Sequence, residues 1–147
     1  MTPYLDAGFL LTLLVPTAGS SSANRLLRRA SAPFTMNFLH QLQVENILLS
    51  FEKSEDPSRQ TAGRKAAQLW KHYLLEGVFQ FVSTDWDTAF HLAVAWNRQH
   101  PSAPPPPLLI LHPALAAVAG ATDFLSFDPR SRAVARFAGL RVLPERL

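Results

Sequence analysis

The chain has 147 residues, 48% of them apolar and 17% charged, which supplies a hydrophobic core and excludes a disordered, charge-rich tail. It contains no cysteine, so disulfides, zinc–thiolate centres and thiol nucleophiles are excluded. The net charge of +3 arises from eleven arginines and three lysines against eleven acids. An arginine-weighted excess suits an acidic partner such as RNA, because the guanidinium forks onto phosphate and carboxylate.

In chain order, residues 2–5 predict a first strand that ends at Asp6, followed by Ala7 and Gly8. The apolar run 9–15 is too short to span a bilayer, follows an acid and has no basic leader. It predicts a buried helix stopped by Pro16, in a soluble, cytoplasmic protein with no membrane association. Residues 23–30 predict a helix with Leu26 and Leu27 inward and Arg25, Arg28 and Arg29 outward. Residues 34–39 read as extended. A helix follows over 40–51, its apolar positions Val44, Ile47, Leu48 and Phe51 at helical spacing.

Beyond a charged loop, residues 59–76 predict another helix and 78–82 a strand. Ser83, Thr84 and Asp85 form an N-cap cluster for a helix over 86–99. The proline-rich stretch 101–107 is a stiff surface connection. The apolar run 108–111 leads to a helix starting near His112, with Pro113 at its first position. Residues 124–127 predict a strand, 130–138 a helix and 140–143 a last strand. Strands alternating with helices specify a parallel sheet covered on both faces. The expected architecture is one domain over residues 1–147: a three-layer α/β/α sandwich around a mainly parallel sheet of four to five strands.

Three carboxylates stand out. Asp6 and Asp128 each close an apolar strand, and in an open α/β sheet ligands sit outside the carboxyl ends of the strands. Glu45 lies on the helix between them, flanked by Gln41, Leu42, Leu48 and Leu49, at the edge of the apolar stripe. Taken singly, either aspartate reads as a helix N-cap and Glu45 as an acid reaching water or an arginine. Together the three read as a rim that gathers a divalent cation, and a cation there invites phosphate chemistry.

The block Tyr4-Leu5-Asp6-Ala7-Gly8, Glu45 on its helix, and the C-terminal run from Gly120 through Asp123, Ser126 and Asp128 to Arg130 and Arg132 resemble a PIN-domain ribonuclease of the VapC-like toxin type. The resemblance implies a Mg²⁺- or Mn²⁺-dependent endoribonuclease. In it Asp6, Glu45 and Asp128 are the catalytic, metal-binding acids, Ser126 helps order the site, and Arg130 meets a substrate phosphate. It also implies a toxin–antitoxin pair, with RNA, a small antitoxin protein and a second copy of the chain as partners.

The sequence departs from the family pattern at one acid. The family carries an aspartate three residues before a histidine; His112 matches the histidine, and Leu109 stands at the acidic position. His112, as the cap of a helix begun by Pro113, and His40, where the family often has Ser or Thr, are the auxiliary candidates to complete a modified site. The alternative from another class is a catalytically degenerate PIN-like domain that serves as an RNA- or protein-binding module.

Overall fold

Successive side chains of a strand leave on opposite faces of its sheet, and five three-residue strands use that alternation to divide the core in two. The computed structural model describes residues 3–101 and 103–146. Its strands are β1 (Pro3–Leu5), β2 (Phe34–Met36), β3 (Phe79–Phe81), β4 (Asp123–Leu125) and β5 (Arg141–Leu143). Its helices are α1 (Ala7–Leu14), α2 (Ser20–Arg29), α3 (Phe38–Glu52), α4 (Pro57–Leu75), α5 (Trp86–Gln99), α6 (Pro107–Val118) and α7 (Pro129–Phe137). All strand pairs are parallel, in the order β3-β2-β1-β4-β5.

Tyr4, Phe124 and Val142 pack with alanines and leucines of α5, α6 and α7 on one face. Leu5, Phe34, Met36, Phe79 and Leu125 pack with α1, with Val44 of α3 and with Ala66 and Trp70 of α4 on the other. Helices on both faces bury the sheet completely at β1 and β4, as a parallel sheet requires. The expected three-layer α/β/α architecture is the one observed. Among the described residues, no helix is long and apolar enough to cross a membrane.

The helix ends follow local chemistry. Asp6, Asn37, Asp56, Asp85 and Asp128 each cap a helix by accepting a backbone N–H with their side chain. Asn37 explains why the extended segment expected over 34–39 stops at Met36: its side-chain oxygen takes the Leu39 N–H at 3.1 Å and starts α3 at Phe38. Thr2, expected in the first strand, lies outside the described residues.

One expected boundary is wrong by more than a turn. The run 108–111 is helical, and α6 begins at Pro107, not at His112–Pro113. Proline at the first helical position has its φ preset and no N–H to satisfy, so Pro107 nucleates the helix. Pro113 then sits in the interior, at the loss of one backbone hydrogen bond. His112 is therefore an inward-facing helical residue and not a cap.

Helices α3 and α4 meet closely enough to require a residue without a side chain. A Cβ on Gly63, which is buried, would lie 2.7 Å from Phe51 Cβ. Alanine improves intrinsic helix propensity by up to about 1 kcal/mol, but this contact forces the helices apart at about 1–3 kcal/mol. Gly63→Ala should therefore lower the urea midpoint, whereas an unchanged or raised midpoint would show that the crossing yields freely.

Candidate functional site at the switch point of the sheet

The chain runs outward from β1 to β2 and β3, then returns to place β4 on the other side of β1. The crevice between β1 and β4 is thus the topological switch point, where open α/β sheets hold ligands. Leu5 is in register with Leu125, so the residues that follow leave the sheet side by side. The Asp6 N–H donates to Leu125 O at 3.0 Å, and the Ser126 N–H to Leu143 O at 3.1 Å. Two sequence positions 120 residues apart are fixed as neighbours by strand register alone.

Asp6 is buried, with 4% of its surface exposed. Its Oδ1 accepts the Phe9 N–H at 2.7 Å, capping α1, and its carboxylate accepts a hydrogen bond from the Ser126 side chain. Burial pushes the carboxyl up to about 6; the charge of Asp128 adds to the rise, and the Ser126 hydroxyl and the Phe9 amide oppose it. Ser126 is wholly buried, and its Oγ also accepts the Asp128 N–H at 3.1 Å. One hydroxyl therefore links the two aspartates.

Asp128 is more open. Its Oδ1 accepts the backbone N–H of Arg130 at 2.8 Å and of Ser131 at 3.3 Å, capping α7. The Arg130 guanidinium reaches back with Nη2 at 2.9 Å from Oδ2 and Nε at 3.3 Å from Oδ1. This guanidinium holds the Asp128 carboxyl below its ordinary range. Beneath the pair lies Arg132, 2% exposed, donating Nη1 to Ser126 O and Nη2 to Pro144 O, each at 2.7 Å. It ties the loop after β4 to the segment after β5, and its charge is coupled to Asp6.

Glu45 stands apart from these residues. It is exposed, and its Oε1 accepts the Gln41 Nε2 hydrogen at 2.7 Å. The face of α3 turned toward the start of α1 carries Leu42, Gln43, Asn46 and Ile47, which with Ala7, Gly8 and Leu11 line a recess of about 500 Å³. Gln43 is a half-buried polar side chain of this recess, and sequence reasoning missed it. The signal was present: Asn37, His40 and Gln43 recur at three-residue spacing, one helical face.

The two auxiliary histidines are interior residues. His40 donates Nε2–H to Leu5 O at 2.7 Å and accepts the Asn37 N–H on Nδ1 at 3.1 Å, so it pins the carbonyl that precedes Asp6. His112 has Nδ1 at 3.1 Å from Tyr4 Oη and Nε2 at 2.9 Å from Gln43 Oε1, and both of its ring nitrogens are engaged. The rings lie 5.0 Å apart. Burial pushes His40 down to about 4 and His112 well below its ordinary 6.5, so both are neutral at pH 7.

Their folded pKa values lie below the unfolded value, so neutral histidine contributes stability that is present above pH 6.5 and lost as pH falls toward the folded values, about 4 for His40. Asp6 acts in the opposite sense over part of that window, but it is one group against two. The urea midpoint should fall steadily between pH 6.5 and 4, and His40→Gln should flatten the decline. A wild-type midpoint independent of pH across that interval would show these histidines to be solvated.

Among the described residues, no group of three or more His, Asp or Glu side chains is placed to hold a metal ion. Asp6 and Asp128 are two carboxylates, and a hard dication such as Mg²⁺ is often held by one or two carboxylates with water and substrate phosphate completing its shell. Two carboxylates would supply the protein's share of one such shell and not a cage for two, and in this structure Asp128 is paired with Arg130.

An α/β/α sandwich with an all-parallel five-stranded sheet and aspartates at the β1 and β4 ends is a PIN-like fold. No protein-family model matches the sequence, nor does any curated protein by sequence. Solved structures do match. VapC20 of Mycobacterium tuberculosis, described as a sarcin–ricin loop cleaving toxin, superposes with a TM-score of 0.63 at 16% identity over 95% of this chain and 96% of its own. FitAcB from Neisseria gonorrhoeae gives 0.63 at 11% identity, covering 96% of each chain. VapBC2 from Rickettsia felis, bound to a DNA fragment from its promoter, gives 0.56 at 9% identity, covering 97% of each. At such identities the likeness establishes the fold.

Proposed function

We propose that the chain is a metal-dependent endoribonuclease of the VapC-like toxin type, working from a reduced site of two carboxylates. The observation that carries this reading is the Asp6–Ser126–Asp128 cluster at the switch point, where like charges are held together around one hydroxyl. Two neighbouring carboxylates repel unless a proton or a cation joins them. A bound Mg²⁺ or Mn²⁺ would neutralise the phosphodiester and lower the pKa of an attacking water.

The chain's own residues do the rest. Asp6 and Asp128 are the cation's ligands, and Ser126 fixes the Asp6 carboxylate by hydrogen bonding. Arg130, 59% exposed and already over the rim, turns from Asp128 to a substrate phosphate, a bidentate exchange of one oxyanion pair for another. Arg132 and His40 hold the backbone on either side. Glu45, exposed on α3 with Gln41 on its Oε1, is left out of this reduced site. The partners proposed are RNA, an antitoxin protein whose segment covers the rim, and a second copy of the chain; the structural neighbour VapC20 is itself described as a toxin that cleaves the sarcin–ricin loop.

A second reading rests on the Arg130–Asp128 ion pair and the lack of a third acid: a PIN-like domain that binds without cutting. Incubation of purified protein with structured RNA and Mn²⁺, alongside Asp6→Asn, separates them. Cleavage present in the wild type and lost in the variant supports the nuclease. Identical traces in both would favour the binding module.

A further inference from the structure

A chain of hydrogen bonds ends in the recess beside Asp6. The Leu39 N–H can only donate, so the Asn37 side chain presents its oxygen there. Its NH₂ is left for Tyr4, whose oxygen it bonds. The Tyr4 hydroxyl then donates to His112 Nδ1, and His112 Nε2–H donates to Gln43 Oε1. The Gln43 oxygen is thereby turned inward, and only its NH₂ is presented to the recess; no acceptor among the described residues takes it.

The recess itself has the make-up of a base pocket. Leu11, Leu42 and Ile47 give apolar walls, Gln43 and Asn46 give carboxamides, and no charged side chain lines it. A phosphate would find no cation there, whereas a splayed base finds flat apolar contact and an edge donor. Gly8 joins it to the aspartates: a Cβ on Gly8 would lie 3.5 Å from Asp6 Oδ1.

We infer that this recess is a nucleobase subsite next to the scissile phosphate, selecting bases that present a keto oxygen at C4 or C6 (uracil O4 or guanine O6) through the Gln43 NH₂. A free glutamine reads adenine with both ends of its amide. Here the oxygen is already taken, so where uracil or guanine offers its C4 or C6 oxygen, the exocyclic amine of cytosine or adenine meets a donor with a donor. Gln43 is the specificity-determining residue; Tyr4 and His112 are positioning residues that orient it. The inference rests on the RNA reading above and deepens it.

The test is binding of labelled, uncleavable 2′-O-methyl oligo(U) and oligo(C) in EDTA, by fluorescence anisotropy, with cleavage assayed separately. The wild type should prefer oligo(U) by about five- to tenfold, the value of one well-placed neutral hydrogen bond. Gln43→Glu keeps an acceptor for His112 but offers the recess a carboxylate, which accepts from the cytosine amine; the preference should invert. Gln43→Met should bring the ratio near one. Thermal melts of both variants establish that they fold. Equal binding of the two oligonucleotides by the wild type, or an unaltered ratio in Gln43→Glu, overturns the subsite while leaving any Asp6-dependent cleavage untouched. A uracil preference without cleavage keeps the subsite and removes the nuclease, and absence of binding to either oligonucleotide overturns the subsite, the nuclease being judged by the separate cleavage assay.

Discussion

Asp6→Asn should abolish RNA cleavage and, at pH 7.5, raise the melting temperature. The first effect follows from removing one of two carboxylates for the cation, which supplies several kcal/mol of charge stabilisation, more than about a hundredfold in rate. The second follows from burial. The Asp6 carboxyl has a folded pKa of about 6 against an ordinary 3.8. Below pH 4 it is protonated in both states and carries no penalty. As pH rises through 6 it must ionise inside the protein beside Asp128, and stability on the order of 3 kcal/mol is lost.

Asparagine keeps an oxygen for the Phe9 N–H and never ionises. The gap between variant and wild type should therefore be near zero at pH 4 and grow to about 5–10 °C by pH 7.5. Melting curves at three pH values test it. A variant less stable than wild type at pH 7.5 would mean that Arg132 compensates the charge more than burial penalises it.

Arg132→Met should be the most destabilising single change at the site. The guanidinium reaches two carbonyls, Ser126 O and Pro144 O, that face no other donor described here. Deleting it orphans both at about 1–3 kcal/mol each, so a loss of about 3–5 kcal/mol is expected, or roughly 10 °C in melting temperature. Arg132→Lys should recover only part of this, since one ammonium nitrogen replaces the two separate nitrogens that reach the two carbonyls. Because Ser126 carries the hydroxyl that orders Asp6, residual cleavage should fall more than the folded fraction does. A variant within 1 kcal/mol of wild type would show that water reaches those carbonyls.

These effects were legible to different degrees in the residues themselves. Asp6 and Asp128 announce themselves because a strand-ending acid before a helix is both a cap and a rim residue, and here each is a cap. Glu45 lies on the expected helix, exposed and bonded to Gln41. Its sequence neighbours at three and four positions are mostly apolar, but Leu42 and Leu49 are exposed, so the apolar stripe did not mark the buried face. Local hydrophobicity does not distinguish a face turned to the core from one turned to solvent or a partner. Pro113 misled for a related reason: two prolines six residues apart both satisfy the rule for a first helical position, and only packing of the run 108–111 against α5 and the sheet selects Pro107.

Sequence alone determined the class of the fold, since alternating strand and helix periods with short loops leave few arrangements other than a covered parallel sheet. It also determined the two aspartates, because their chemistry is local: each must satisfy the first amides of the helix it begins. Tertiary structure alone decided which distant residues share a site. The register of β1 on β4 sets Asp6 beside Ser126, the crossing of α3 and α6 joins Gln43 to His112, and a buried arginine bridges two loops. Such pairings depend on where strands and helices dock in space, and no window along the chain encodes that distance.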